Sequence, residues 1–482
     1  MLNKIRLYLL AALALIALLF TACSDDSSSS SASHKSKNGV ARYTAIIYGS
    51  DGGDMDQSIE GTMHDLQEIL GDEDDVRVLL VYKYGGGKVF TGTLAYPGQM
   101  VYTEITKDTD LSTLKDSSAI VEDSVKLYDP EYITSVINYA HDKLPAQEYL
   151  LFIEGHGVGY DFESDFPKSE RGKALAKQSA VSAVVPDAWF PFGEYMAEAI
   201  TMPELAKGIK KSKISHFKAI VFNTCLTANM ETLNDIYSYA DYLLASEHTL
   251  LSMRGELMTE VVEALINDSK GNFEDVIKGV FENNDFKVSF RSGYFEDNSN
   301  GDYQFIKTDK FAELAPIFKK LAKRLIELYA NEKNRAAIDK ATDKTYKLSY
   351  DRTFYDALDY ANKLAEETKD KTLKEIAKDL EKAFDAVTLT RSLESHVREE
   401  APLDRFTFSI VLVGNETYNE ELTALPGRTN RDTYEYSSFH KETGWGDWLN
   451  TNAHEPTNNP YGEGEPEEED PEEESEDDAE EE

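Results

Sequence analysis

Two short apolar runs constrain this chain more than anything else in it, because each leads straight into a reactive side chain. One is Tyr149-Leu150-Leu151-Phe152-Ile153-Glu154-Gly155-His156-Gly157. The other is Ala219-Ile220-Val221-Phe222-Asn223-Thr224-Cys225. A continuous apolar run of this length, bounded by turn residues, reads as a strand of a parallel sheet covered on both faces. In open α/β sheets the functional crevice lies beyond the carboxyl ends of such strands. The sequence therefore places an imidazole, His156, and a thiol, Cys225, at one edge of one sheet. A base beside the nucleophile it activates would be arranged in this way.

The flanking sequence supplies the rest of such a sheet. Ala41 to Tyr48 is a strand, followed by a helix with Met55, Ile59, Met63, Leu66 and Leu70 on one stripe. Val76 to Tyr82 is a second strand, and residues 88–104 read as a β-hairpin around Tyr96-Pro97-Gly98-Gln99. Asp129-Pro130 opens a helix, with an N-cap and a proline in the first turn. The order of strand, helix, strand, hairpin, helix and strand is that of an α/β sheet with right-handed crossovers. Gly155, Gly157 and Gly159 surround His156, leaving room for a close approach and amides to spare. The Gly157 N–H is a candidate oxyanion donor. Thr201-Met202-Pro203-Glu204 is a capping box. Thr227 to Tyr237 reads as a helix, which would set Cys225 just before a helix N-terminus, where dipole and amides favour a thiolate. The alternative for a lone cysteine is a small buried hydrophobe.

Charge and cysteine usage narrow the classes of function. The formal charge is −39, but residues 463–482 carry 15 acids and no Lys or Arg, which leaves −24 for the rest. Such a chain lacks the basic footprint of a nucleic-acid binder. Cys23 and Cys225 are the only cysteines, and their spacing suggests neither a disulfide framework nor a zinc site. The loop Gly49 to Asp56 is acidic but does not have EF-hand spacing, so no calcium requirement follows, and no metal or cofactor is expected. Lys4 and Arg6, the apolar run Leu7 to Phe20, and the small residues Thr21 and Ala22 read as a signal peptide. The run Leu19-Phe20-Thr21-Ala22-Cys23 resembles a bacterial lipobox. That resemblance implies cleavage before Cys23, lipid on its sulfur and attachment to the cell envelope, at the outer membrane or cell surface. Cys225 would then be the only thiol left. The Ser-rich stretch to about Ser36 is a tether.

Past the second strand, helical stripes dominate residues 309–388, as in Phe311, Leu314, Phe318, Leu321, Leu325 and Leu328. Arg405 to Val413 reads as a strand that could add to the main sheet. The aromatics Tyr434, Tyr436, Trp445 and Trp448 fit core packing, with a carbohydrate surface as the alternative. The domain reading is therefore a signal peptide at 1–22, a lipidated cysteine and tether at 23–40, and an α/β core carrying both reactive segments at 41–285. A helical and strand extension packed on that core follows at 286–455, with a disordered acidic tail at 456–482.

The two reactive segments, Phe152-Ile153-Glu154-Gly155-His156-Gly157-Val158-Gly159 and Val221-Phe222-Asn223-Thr224-Cys225-Leu226 with Glu231 after it, resemble the clostripain family of cysteine peptidases. That family groups with caspases, legumains and gingipains. The resemblance extends to Tyr43–Asp56, Asp129-Pro130, Thr201–Leu205, Leu244–Glu247, Tyr355–Leu358 and Thr443–Leu449. It implies a caspase-like α/β fold, a mostly parallel sheet flanked by helices, with a helical C-terminal extension and an added strand. It further implies His156 and Cys225 as a catalytic dyad, and the amides of Gly157 and Cys225 as the oxyanion site. Asn223, Ser246 and Glu247 would contact the substrate, and self-cleavage would fall in the loop around Lys168 to Lys177. One position departs from the family pattern: Asn223 stands where an Asp usually helps bind a basic side chain, so a basic preference is not carried over. The expectation is a lipid-anchored, monomeric cysteine endopeptidase acting on proteins or peptides. The alternative is a catalytically weak or inactive, peptidase-like surface lipoprotein that binds.

Overall fold

Strands that are apolar on both faces must be covered on both faces, and the architecture follows from that requirement. In a computed structural model of the chain, the described residues are 40–49, 56–71, 75–83, 88–89, 92–93, 99–109, 120–122, 125–160, 182–185, 200–248, 250, 256–283, 303–348, 353–392, 407–421 and 429–456. The signal peptide, Cys23 and its tether, the Lys168–Lys177 region and the acidic tail lie outside them. Among the described residues no helix is long and apolar enough to cross a membrane.

The strands of the main sheet are β1 (Ala41–Gly49), β2 (Val76–Lys83), β3 (Met100–Ile105), β4 (Ile120–Glu122), β5 (Ala146–Glu154), β9 (Phe217–Asn223), β10 (Ala240–Ala245), β11 (Gln304–Lys307) and β13 (Thr388–Arg391). Outside it lie β6 (His156–Tyr160), β7 (Ser182–Val185), β8 (Ile200–Thr201), β12 (Phe354–Asp356) and β14 (Ser409–Val411). The sheet order is β13-β11-β10-β9-β5-β1-β2-β3-β4. Its five central strands, β10, β9, β5, β1 and β2, are parallel. Antiparallel strands close both edges.

Strand periodicity sorts the core into two layers. Ala45, Ile47, Leu150, Phe152 and Val221 face one side, packed with Ile59, Met63 and Leu66 of α1 (Asp56–Ile69). Val261 and Leu265 of α5 (Glu256–Asn267) and Ile277 of α6 (Phe273–Asn283) complete that layer. Ile46, Tyr48, Leu151, Ile153, Ile220 and Phe222 face the other, packed with α2 (Pro130–Lys143), α3 (Met202–Lys211) and the helices of the C-terminal half. The expected caps are in place. Asp129 accepts from the Glu131 amide at 2.9 Å, and Thr201 and Glu204 form a reciprocal box.

Three expectations are corrected. Within the run read as a hairpin over 88–104, Lys88–Val89 pairs with Gly92–Thr93 and β3 joins the main sheet against β2, while Tyr96–Gly98 of the expected turn lie outside the described residues. The added strands of the main sheet are β11 and β13. The 405–413 run instead supplies β14, which pairs with β12 in a separate two-stranded sheet. The long segment after His156 is not wholly irregular: β7 pairs with β6 and with β8 in a third sheet. Of the four C-terminal aromatics, Tyr434, Trp445 and Trp448 are fully buried, and Tyr436 is exposed.

Candidate active site

The three central strands end level with one another, since Gly49 pairs with Glu154 and Glu154 with Asn223. Both reactive segments begin one residue later. Gly155 takes φ 142°, a backbone region open to glycine and hostile to other residues. This turn ends β5 and starts β6 at His156. On the neighbouring strand, Thr224-Cys225-Leu226 forms a turn in which Leu226 takes φ 56°. A left-handed leucine is strained by about 1–3 kcal/mol and persists only where its surroundings hold it. Here the Leu226 amide donates to His248 O at 3.0 Å, and its side chain is buried.

The two turns are in backbone contact. A Cβ placed on Gly157 would lie 1.9 Å from the Cys225 carbonyl oxygen and 2.7 Å from its nitrogen. Gly157 is therefore required by a close approach, as expected, but the chain that approaches is the protein's own and not a substrate. The chain of His156 is thereby brought beside the Cys225 turn.

Cys225 is half-buried. The Leu250 amide donates to its sulfur at 3.2 Å, and the Leu250 carbonyl lies 3.8 Å away. The expected helix N-terminus is not at the thiol. The helix that follows, α4 (Met230–Ile236), starts five residues later and is capped by Asn229, which accepts from the Thr232 amide at 3.2 Å. Residues 226–228 do not wind into it: Leu226 is left-handed, the N-cap Asn229 is extended at φ −103° and ψ 136°, and the Ala228 carbonyl, which a helix from Thr227 would need as an acceptor, takes the Ser409 amide. The donor to sulfur thus comes from the segment after β10. A hydrogen bond aimed at a sulfur favours its charged form.

Beneath the turns lies a buried polar chain. Asn223 Nδ2 donates at 2.9 Å to both carboxyl oxygens of Glu154, and the Tyr303 hydroxyl donates at 2.7 Å to Asn223 Oδ1. Glu154 is fully buried, and burial pushes its carboxyl up to about 8, with the Asn223 amide opposing. Burial thus favours the neutral carboxyl next to Cys225, while the Asn223 amide, bonded to both oxygens, favours the charged one. Ser246 and Glu247 are also fully buried. The Ser246 hydroxyl is used within its own turn, donating to His248 O at 2.9 Å. Among the described residues no cluster of side chains suits a metal ion.

Glu154 and Tyr303 were not singled out from the sequence, and Leu250 only as the start of a segment, Leu250–Arg254, that departs from the family pattern. A signal existed for Glu154: it precedes His156 by the same two residues by which Asn223 precedes Cys225. Equal offsets on adjacent parallel strands make side-by-side neighbours when the register is level. Tyr303 and Leu250 carry no local signal, because tertiary folding alone brings them here.

The profile of the clostripain family matches residues 53–450. No curated protein matches the chain in sequence. Among solved structures, a secreted C11 cysteine protease from Bacteroides thetaiotaomicron, "iotapain", aligns with TM-score 0.54 at 16% identity, covering 84% of this chain and 99% of that one. An inactive zymogen C11 protease from Parabacteroides distasonis aligns with TM-score 0.50 at 16% identity, covering 84% and 98%. A secreted C11 cysteine protease from B. thetaiotaomicron in complex with an irreversible peptide inhibitor gives 0.52 at 12% identity, covering 84% and 100%. At these identities the likeness bears on the fold. The sequence match runs across both reactive turns and most of the described chain, and this chain belongs to the clostripain family of cysteine peptidases.

Proposed function

We propose that the chain is a lipid-anchored cysteine endopeptidase of the cell envelope, a monomer in which Cys225 is the nucleophile and His156 its proton partner. The observation that supports this most directly is the backbone contact between Gly157 and Cys225, which sets the His156 strand against the thiol turn. In the reaction the Cys225 thiolate attacks the scissile carbonyl, and the amides of Gly157 and Cys225 hold the oxyanion. His156 delivers a proton to the leaving amine and then takes one from the water that hydrolyses the acyl-enzyme. Ser246 and Glu247 contribute through the segment that braces the turn. Asn223 forms an uncharged floor, so the enzyme has no built-in preference for Arg or Lys before the cut at neutral pH. Cys23 carries the lipid.

The test is a peptide-library cleavage profile of the chain from Ser24, run beside Cys225→Ala and His156→Ala. Cleavage should fall roughly 10³-fold or more in each variant. Unchanged cleavage by Cys225→Ala would reject the mechanism.

A second reading, a peptidase-like lipoprotein that binds without cutting, is favoured by two features. The Leu250 main chain already occupies the sulfur, and the Asn223 amide group is committed to Glu154 and Tyr303. Iodoacetamide separates the two readings. A working dyad alkylates quickly at Cys225 and slows in His156→Ala, whereas a binding relic alkylates slowly in both.

A further inference from the structure

The Cys225 turn is gripped from two sides. One side is the segment after β10, through Leu226 to His248 and Ala228 to Ser246. The other comes from about 180 residues further along, where the Ser409 amide donates to Ala228 O at 3.0 Å. Asn229 forms a parallel bridge with Ser409, and its Nδ2 reaches the Ser409 hydroxyl at 3.3 Å. The grip continues into α4. Glu231 Oε1 accepts from the Tyr434 hydroxyl at 2.6 Å and from the Val411 amide at 3.3 Å. Asn234 Nδ2 donates to the Ser438 hydroxyl at 2.8 Å. Val411 is fixed in turn, because Trp445 Nε1 donates to its carbonyl at 2.9 Å.

We propose that Glu231 is a positioning residue that, held by Tyr434 and the β14 main chain, fixes the Cys225 turn, so that the C-terminal segment from 409 to 445 forms the outer half of the nucleophile's seat. Three facts carry this. Glu231 is fully buried, where a carboxyl is costly unless its hydrogen bonds are made. Its partners come from β14 and from the helix Asn430–Tyr434, elements that share no strand of the catalytic sheet. The turn it steadies holds a strained residue, Leu226, that cannot keep its conformation unaided. A rotation of α4 would pull on Asn229 and Ala228, and through them on Cys225. The consequence is that the C-terminal extension does more than cover the core. It sets where the sulfur sits.

This inference rests on Cys225 being the reactive thiol, and its test does not require that peptide cleavage succeed. The full chain and its Tyr434→Phe, Glu231→Leu and Glu231→Gln variants are compared by thermal melting, iodoacetamide alkylation of Cys225 followed by mass, and kcat and KM on the best library peptide. Tyr434→Phe removes one hydroxyl and is chosen to leave the fold intact. It should slow alkylation and lower kcat by the same factor, roughly tenfold, with KM within about twofold. Glu231→Leu should lose more than that, and Glu231→Gln, which keeps an oxygen for both donors, should recover most of it. The proposal fails if Tyr434→Phe and Glu231→Leu lower the melting temperature while alkylation and kcat of the folded protein stay within about twofold of wild type. If the wild type cleaves no peptide, the peptidase reading falls, and the alkylation series alone still decides for or against Glu231.

Discussion

At the scale of single residues, the site depends on main chains that touch and on where one carboxyl sits. Gly157→Ala forces a methyl group into the Cys225 carbonyl, which lies 1.9 Å from its position. Either β6 or the thiol turn must shift. The expected cost is ~1–3 kcal/mol of stability and roughly 100-fold in kcat, read by denaturant melts beside peptide kinetics. Unchanged kinetics would show that the contact does not set the geometry. The Glu154–Asn223 pair yields a second prediction. Asn223→Asp alone puts two carboxyls within 3 Å, so they share a proton and the floor gains at most one charge. Coupled with Glu154→Gln, the same change leaves a single carboxyl beside an amide, with the two groups exchanged between strands. The double variant should raise the preference for Arg over Gln before the cut, roughly tenfold at pH 7, and the single variant less, because its one charge is held in the proton shared with Glu154. A double variant with the wild-type preference would show that the floor does not read the substrate. The strand-end places of His156 and Cys225 were legible because strand ends and their glycines are local patterns, and Asn223 drew notice only through the family resemblance. Glu154 was not, because its meaning depends on the register of β5 with β9.

At the scale of elements, legibility followed whether a signal was local. The capping box at Thr201 and the cap-and-proline start at Asp129 were read directly, because the residues that make them are three or fewer apart. The start of α4 was misplaced because tertiary contacts hold Leu226 left-handed and Asn229 extended and engage the Ala228 carbonyl, and no local pattern announces them. The same reason applies to β14: its alternation reads as a strand, but only the position of β12 decides which sheet it joins. A control prediction belongs at this scale. Thr201→Ala removes the cap of α3, which packs on the side of the sheet away from the Glu154 network. It should cost about 1 kcal/mol and leave kcat/KM unchanged. A fall in kcat/KM out of proportion to the lost folded fraction would mean that α3 is coupled to the site.

At the scale of the whole molecule, the buried carboxyls set how stability depends on pH. Burial raises Glu154 to about 8, Glu231 to about 7 and Asp356 to about 6, with their hydrogen bonds opposing. Each holds its proton in the folded chain at a pH where the unfolded chain has lost it. Unfolding then releases protons, so stability falls as pH rises from the ordinary carboxylate range to the folded value. The paired surface acids Glu274 and Glu367 are held down to about 2 by their lysines and work in the opposite direction, but only below their ordinary range. Both acids are half-buried, but their lysines reach into solvent, which screens the pairs and keeps their contribution small. The melting temperature should therefore be highest near pH 5 and decline steadily to about pH 8. A formal charge of −39 also opposes folding as pH rises, through self-repulsion. Salt separates the two causes. At 1 M the screening length is ~3 Å, which suppresses repulsion across the surface and leaves the buried protons untouched. The decline should persist in 1 M NaCl and become shallower in Glu154→Gln, most visibly above about pH 7, where Glu154 alone still titrates. A decline that salt abolishes, with Glu154→Gln unchanged, would mean that Glu154 is ionised in the folded chain at neutral pH. The floor beside Cys225 would then be charged, and the argument against a basic preference would fall with it.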